Sequence, residues 1–164
     1  MAHSRTGTGS WAWLKGVGTQ EEPLDRDWRF HNHYLLTKIW FSKHPRSVRA
    51  GDLLLYYAVG WQVIPAIVQV VSDEAFDEKE AHPKHGDRFR WGMGVRPVVT
   101  VDLDRAPRLR DTPIASARVK RLSHLLLNPS EYAPIRELLL EAATDETAWS
   151  LAGPFPQPVP EIVA

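Results

Sequence analysis

Residues Arg49–Ser72 read RAGDLLLYYAVGWQVIPAIVQVVS, and this stretch decides the fold. Gly51-Asp52 is a turn signal. Leu53–Ala58 is a continuous apolar and aromatic run of strand length. Val59-Gly60 breaks it. Gln62–Val71 is a second run, rich in Val and Ile, which suit a pleated, half-buried surface. Two strands joined so closely pair as a hairpin. Ile64, Ala66, Val68 and Val70 share one face because strand side chains alternate. Pro65 lacks an amide donor, so this strand is bulged there or lies at an edge. Trp61 sits at the mouth of the hairpin, as a lid on a barrel end or as a ligand contact.

Outward from the hairpin, Ser10–Val17 reads as a first strand, with Trp11 and Trp13 on one face. Thr19–Arg29 is polar and reads as a loop or short helix. Tyr34–Phe41 is apolar enough for either a strand or a short helix. Asp73–Asp87 reads as a long exposed loop. Phe89–Val95 and Pro97–Leu103 read as two further strands, the second with clear alternation. Ile114–Leu122 reads as a short helix. Asn128-Pro129-Ser130-Glu131 is a helix start, with a capping side chain, Pro at the first position and Glu three after the cap. Pro134 offers a later start. Ile135, Leu138, Leu139 and Ala142 then form one apolar stripe, as expected of a helix covering a sheet.

The chain's 164 residues argue for one domain. Residues 1–9 read as a disordered tail, 10–149 as the domain, and 150–164 as an extended proline-rich tail. The expected class is α+β and β-rich, a partly open β-barrel of about five or six strands with flanking helices. There is no cysteine, which excludes disulfides and thiolate chemistry. MAHSRTGTGS has no apolar core of a signal peptide. No apolar run approaches the ~18 residues of a membrane span. A cytoplasmic location without a membrane partner is therefore expected.

Formal net charge is zero, but it is unevenly spread. Trp28–Gly51 holds no acid, yet carries Arg29, Lys38, Lys43, Arg46 and Arg49. Acids gather in Asp73–Glu80 and Glu131–Glu146. Such polarity suits a polyanion on one side, or two solvated faces that balance each other. His31-Asn32-His33 places two imidazoles together, but no partner cluster completes a metal site. No phosphate loop, dinucleotide fingerprint or hydrolase motif occurs. No metal or cofactor is expected. Seven tryptophans is a high count. Trp13, Trp40, Tyr57, Trp61 and Trp91 fall at strand ends and junctions, where small barrels open and flat ligands stack.

These landmarks together resemble the EVE domain, a PUA-like relative of the YTH and ASCH domains. They are Trp13-Leu14-Lys15, the run Gly51–Tyr57, Pro65–Ser72, Arg90-Trp91 leading into Val95-Arg96-Pro97, and Arg121-Leu122-Ser123 before Glu131-Tyr132. The resemblance spans Trp11 to Leu140. Ala58 stands where the family often has His, and Gly16-Val17 follows Lys15 in place of Glu-Pro. The resemblance implies a PUA-like barrel without enzymatic activity that binds DNA or RNA carrying a modified base. Its implied pocket is Trp13, Lys15, Trp40, Tyr57, Trp61 and Trp91. Lys43, Arg46, Arg49 and Arg121 would meet the phosphates. ASCH relatives include ribonucleases, so Lys15, His31 or His44 as acid or base is the enzymatic alternative. A small-molecule or protein-binding module is a third reading.

Overall fold

A computed structural model describes residues 11–77, 88–119 and 124–143. The expected tails at 1–9 and 150–164, and Arg121, lie outside them.

The Leu53–Val70 hairpin forms as its sequence demands. Strand β3 (Leu53–Ala58) pairs antiparallel with β4 (Val63–Val70). Gly60, at a φ of 93°, takes the turn between them, where a side chain is strained. β4 lies in the middle of the sheet, so the edge reading of Pro65 fails and the bulge reading holds. Tyr56 faces Ala66 and Ala58 faces Val63, which leaves Ile64 and Pro65 opposite Tyr57 alone. A proline with no amide to give is tolerated in such an interruption. The Ile64 amide instead donates to the Pro107 carbonyl at 2.8 Å, and the Pro65 carbonyl accepts the Val101 amide at 2.9 Å.

β1 (Ala12–Val17) runs parallel to β3 and antiparallel to β7 (His124–Leu127). On the other side of the hairpin, β6 (Trp91–Thr100) pairs with β4 and then with β2 (Lys38–Phe41). A two-residue strand, β5 (Phe76–Asp77), also joins β6. The order is β2-β6-β4-β3-β1-β7. The sheet curls into a half-barrel, and its two ends meet through side chains: the rings of Phe41 on β2 and His124 on β7 are 5.2 Å apart. The class is α+β and β-rich, as expected.

Several readings are corrected. Phe89–Leu103 is not two strands. It is one ten-residue strand whose register slips by a residue opposite Ile67 and Val68, beside Pro97. Tyr34–Phe41 is both alternatives in succession, a 3-10 turn over His33–Leu36 and then β2. Ile114–Leu122 holds the short helix expected of it, α2 (Ser116–Val119), within the described residues. β7 had no counterpart in the sequence reading. His31 and His33 lie not on a strand but at the end of α1 (Trp28–His31) and in the turn after it.

The last helix, α3 (Pro129–Ala142), starts at the earlier of its two signals. The Asn128 Oδ1 accepts the Glu131 amide at 3.1 Å, and Glu131 Oε1 accepts the Asn128 amide at 3.2 Å. Reciprocal capping of this kind satisfies two amides that the helix cannot. Pro134 then falls inside the helix, past its first turn, where it leaves the Ser130 carbonyl without its helical donor. Ile135 and Leu139 are buried as α3 packs on β4 and β6.

The core is continuous through all these elements. One carboxylate ties its lower end together. Asp52 is fully buried, and its Oδ1 accepts the Trp11 amide at 3.0 Å. Its Oδ2 accepts Trp13 Nε1 and the Arg49 amide, each at 3.0 Å. The Gly-Asp of the opening stretch is thus more than a turn. It is the clamp that sets β1 beside β3.

Candidate functional site: a cavity at the open end of the half-barrel

A cavity of about 1210 Å³ opens where β1 ends. The end of β1, the segment after it, β2, the 3-10 turn before β2 and the entry to α2 all border it. Gly18, at φ 73°, lets the chain leave β1 sharply, and a Cβ there would meet the Leu24 amide at 3.1 Å. Lys15 and Tyr57 both line the cavity beside this turn.

Four of the ten residues named from the sequence line this cavity: Lys15, Trp40, Lys43 and Tyr57. Tyr34 joins them, with its ring 6.0 Å from that of Trp40 and tilted by 58°. The bulge in β4 falls opposite Tyr57. Bulges commonly re-aim a side chain in this way. Burial raises the Tyr57 phenol above its ordinary value, so it stays a neutral hydrogen-bond donor.

Lys15 is the unusual member. It is 4% exposed, and its Nζ donates to the Gly16 carbonyl at 2.6 Å. The same nitrogen lies 5.3 Å from the centre of the Phe41 ring. Among the described residues no carboxylate pairs with it. Burial alone lowers its pKa from 10.5 to about 8. His124 faces Lys15 directly across β1 and β7. Burial first, and the charge of Lys15 second, lower the imidazole to about 4. His124 is therefore neutral at physiological pH.

Lys43, Arg88 and Arg110 line the cavity together with Glu21 and Glu22, and these solvent-facing groups form its mouth. All five are exposed. Arg88 also sits 5.0 Å over the Phe89 ring, which stacks a planar cation against a planar surface.

The other sequence candidates lie elsewhere. Trp13 is buried between Trp11, 5.8 Å away, and His124, 5.3 Å away, and is held by Asp52. Trp61 stays partly exposed and donates to the Leu24 carbonyl at 2.9 Å, outside the cavity. Trp91 stacks edge-on with His44 at 4.6 Å. Arg46 and Arg49 are exposed but do not border the cavity. His31 and His44, the histidines of the enzymatic alternative, do not border it either. His31 instead joins Asp25 and Asp27 in an exposed group whose ligand atoms lie within 4.8 Å of one another. Tyr34, Arg88, Arg110 and His124 were not read from the sequence. No linear motif marks them, because only the closing of the half-barrel brings them to Lys15 and its cavity.

No family model matches the chain, and no curated protein matches it. Among solved structures, a protein from Agrobacterium tumefaciens superimposes with a TM-score of 0.56 at 15% identity. That match covers 92% of this chain and 100% of the other. A protein from Pseudomonas putida gives 0.50 at 18% identity, covering 77% of this chain and 98% of the other. One from Pseudomonas syringae gives 0.50 at 14%, with the same coverage of 77% and 98%. These likenesses show the fold. Among the described residues, no helix is long and apolar enough to cross a membrane.

Proposed function

We propose that the protein is a nucleic-acid-binding module of the EVE, PUA-like kind that holds a modified base in the cavity beside Lys15. The observation that carries this reading is the cavity's composition. Trp40, Tyr34 and Tyr57 supply rings, Lys15 supplies a buried donor, and Lys43, Arg88 and Arg110 stand at the mouth. A flipped base needs stacking surfaces and a few polar groups for its edge. The phosphates on either side of it need cations. A volume of about 1210 Å³ exceeds the roughly 300–1,000 Å³ of most small-molecule pockets, which leaves room for a sugar and phosphate besides the base.

Binding in this reading involves no chemical step. The Lys15 ammonium or amine meets an acceptor on the base edge, and the tilted Tyr34–Trp40 pair bounds the base face. Lys43, Arg88 and Arg110 are the cations there that would meet the phosphates, against the opposing charge of Glu21 and Glu22.

The test is a panel of single- and double-stranded DNA and RNA oligonucleotides carrying unmodified, methylated, hydroxymethylated and formylated bases, titrated at low and at physiological salt. One modification should bind at least about tenfold more tightly than its unmodified parent, the equivalent of ~1.4 kcal/mol of base contact. If no oligonucleotide binds above background at low salt, the reading is wrong.

A further inference from the structure

We infer that the cavity captures aromatic aldehydes, with Lys15 Nζ adding to the carbonyl carbon and holding the ligand as an imine. Three observations point the same way. Lys15 lines a large cavity although its side chain is buried. Among the described residues it has no carboxylate partner, and its hydrogen bond to the Gly16 carbonyl leaves the nitrogen lone pair free once a proton is lost. Trp40, Tyr34 and Tyr57 flank the space with rings suited to a flat ligand. Desolvation in such a site is how lysines become nucleophiles near neutral pH. Burial brings Lys15 to about 8, so a large fraction of it is free amine in mildly basic solution.

The step balances without any co-reactant. The ammonium first gives one proton to solvent. The amine lone pair forms a C–N bond to the carbonyl carbon, and the carbonyl oxygen takes up a proton. The nitrogen's second proton passes through solvent to that hydroxyl, the C–O bond breaks, and the oxygen leaves as water as the C=N bond forms. Nothing is oxidised or reduced. The bond is reversible, so it acts as a covalent latch and not as turnover. The inference rests on the cavity and not on the nucleic-acid reading, which it extends to formyl-bearing bases if both hold.

The experiment is reductive trapping on the intact wild-type chain. The protein is incubated with isonicotinaldehyde and cyanoborohydride between pH 6 and pH 10, digested, and mapped by mass spectrometry. Lys43, exposed at the same cavity mouth, is the internal control. Lys15 should be labelled at least about tenfold faster than Lys43 at pH 8, as expected of a desolvated amine beside a solvated one. Lys15→Arg keeps the charge and, with unchanged circular dichroism, should lose the fast-labelled site. Labelling of Lys15 no faster than Lys43 in wild type overturns the inference. A second arm uses an oligonucleotide bearing 5-formylcytosine. Trapping of both aldehydes at Lys15 supports the inference and the nucleic-acid reading together. Trapping of the small aldehyde alone supports the inference and counts against the nucleic-acid reading.

Discussion

Lys15 on β1 and His124 on β7 stand directly opposite each other in an antiparallel pair, and both are held away from their charged forms. Two basic groups facing each other under burial repel when both are protonated. Burial is the larger cause for each. The pair sits where the ends of the half-barrel meet, since Phe41 touches both groups.

Acid should open this seam. The folded pKa of His124 is about 4, below its ordinary 6.5. Between these values the unfolded chain binds a proton that the folded chain does not. Stability therefore rises with pH across that window, and it is lost as pH falls from 6.5 through 4. His124→Phe keeps the ring contacts and removes the proton site. Its melting temperature should fall less steeply than wild type from pH 6.5 to pH 4. Parallel curves would show that His124 does not control the acid limb.

Lys15 should cost the fold stability at neutral pH. Its folded pKa of about 8 lies below the ordinary 10.5. Below pH 8 the folded state must keep a buried ammonium. From 8 to 10.5 the unfolded chain holds a proton that the folded chain has shed, so stability rises with pH. Lys15→Met removes the burden and keeps most of the volume. The variant should be more stable at pH 7 by up to about 3 kcal/mol, an upper bound from the size of the shift. The wild type should recover part of that gap by pH 10 in chemical denaturation. A Lys15→Met chain less stable than wild type at pH 7 would mean that the bond to the Gly16 carbonyl outweighs desolvation.

Asp52 offers a sharper structural test. Its removal takes the acceptor from two buried donors, the Trp11 amide and the Trp13 indole, and from the half-buried Arg49 amide. Each unsatisfied buried donor costs ~1–3 kcal/mol. Asp52→Ala should therefore lose on the order of 3 kcal/mol or more. Asp52→Asn keeps one acceptor oxygen and should lose about half of that. Urea midpoints with unchanged m-values are the measurement. A loss under ~1 kcal/mol for Asp52→Ala would show that water replaces the carboxylate.

The hairpin was legible because its signals are local: β-branched residues, a glycine turn and a proline that needs a bulge or an edge. The start of α3 was legible for the same reason, since Asn128 and Glu131 are three residues apart. The single strand Trp91–Thr100 was not. Gly92 and Gly94 weaken the strand signal and Pro97 suits the start of a new strand, and only pairing with β4 on one side and β2 on the other joins the two into one. β7 was missed because His124-Leu125-Leu126-Leu127 has no alternation, and leucine serves helices and strands alike. Its state comes from the open edge of β1. The site divides likewise. Lys15 was found only through the resemblance that Trp13-Leu14-Lys15 carries. Trp40 and Tyr57 were found because they are aromatic residues near strand ends. Trp13 and Trp61 share that description, yet one satisfies Asp52 and the other Leu24. Which aromatic faces a cavity is a property of sheet curvature, not of spacing.

Trp40 now carries a different expectation from an open cage ring. It is 6% exposed and still borders the cavity. Trp40→Ala should therefore reduce both folding stability, by about 3–5 kcal/mol as for other buried tryptophans, and ligand binding. Trp40→Phe is the discriminating variant, since it keeps a ring in contact with Tyr34. It should fold, and it should lose part of the ~1–3 kcal/mol that stacking contributes per base. Wild-type affinity in a folded Trp40→Phe chain, with Trp40→Ala merely unfolded, would make the residue core alone.

A bound strand would cross the surface past the cavity. The sequence placed Lys43, Arg46 and Arg49 together as phosphate contacts, but only Lys43 borders the cavity. The Arg49 side chain is exposed on the connector before β3, where its amide serves Asp52. Arg110, remote in sequence, stands at the mouth with Lys43. If the cavity holds a base, as proposed, the flanking phosphates come to that mouth. Lys43→Ala and Arg110→Ala should each weaken binding of all sequences about equally and lower the salt slope by roughly one unit. Arg49→Ala should leave the slope unchanged. Affinity measured at four or five salt concentrations for each variant decides the matter. If Arg49→Ala lowers the slope as much as Lys43→Ala does, the strand runs along the basic connector. The cavity mouth would then not be the place where phosphates are read.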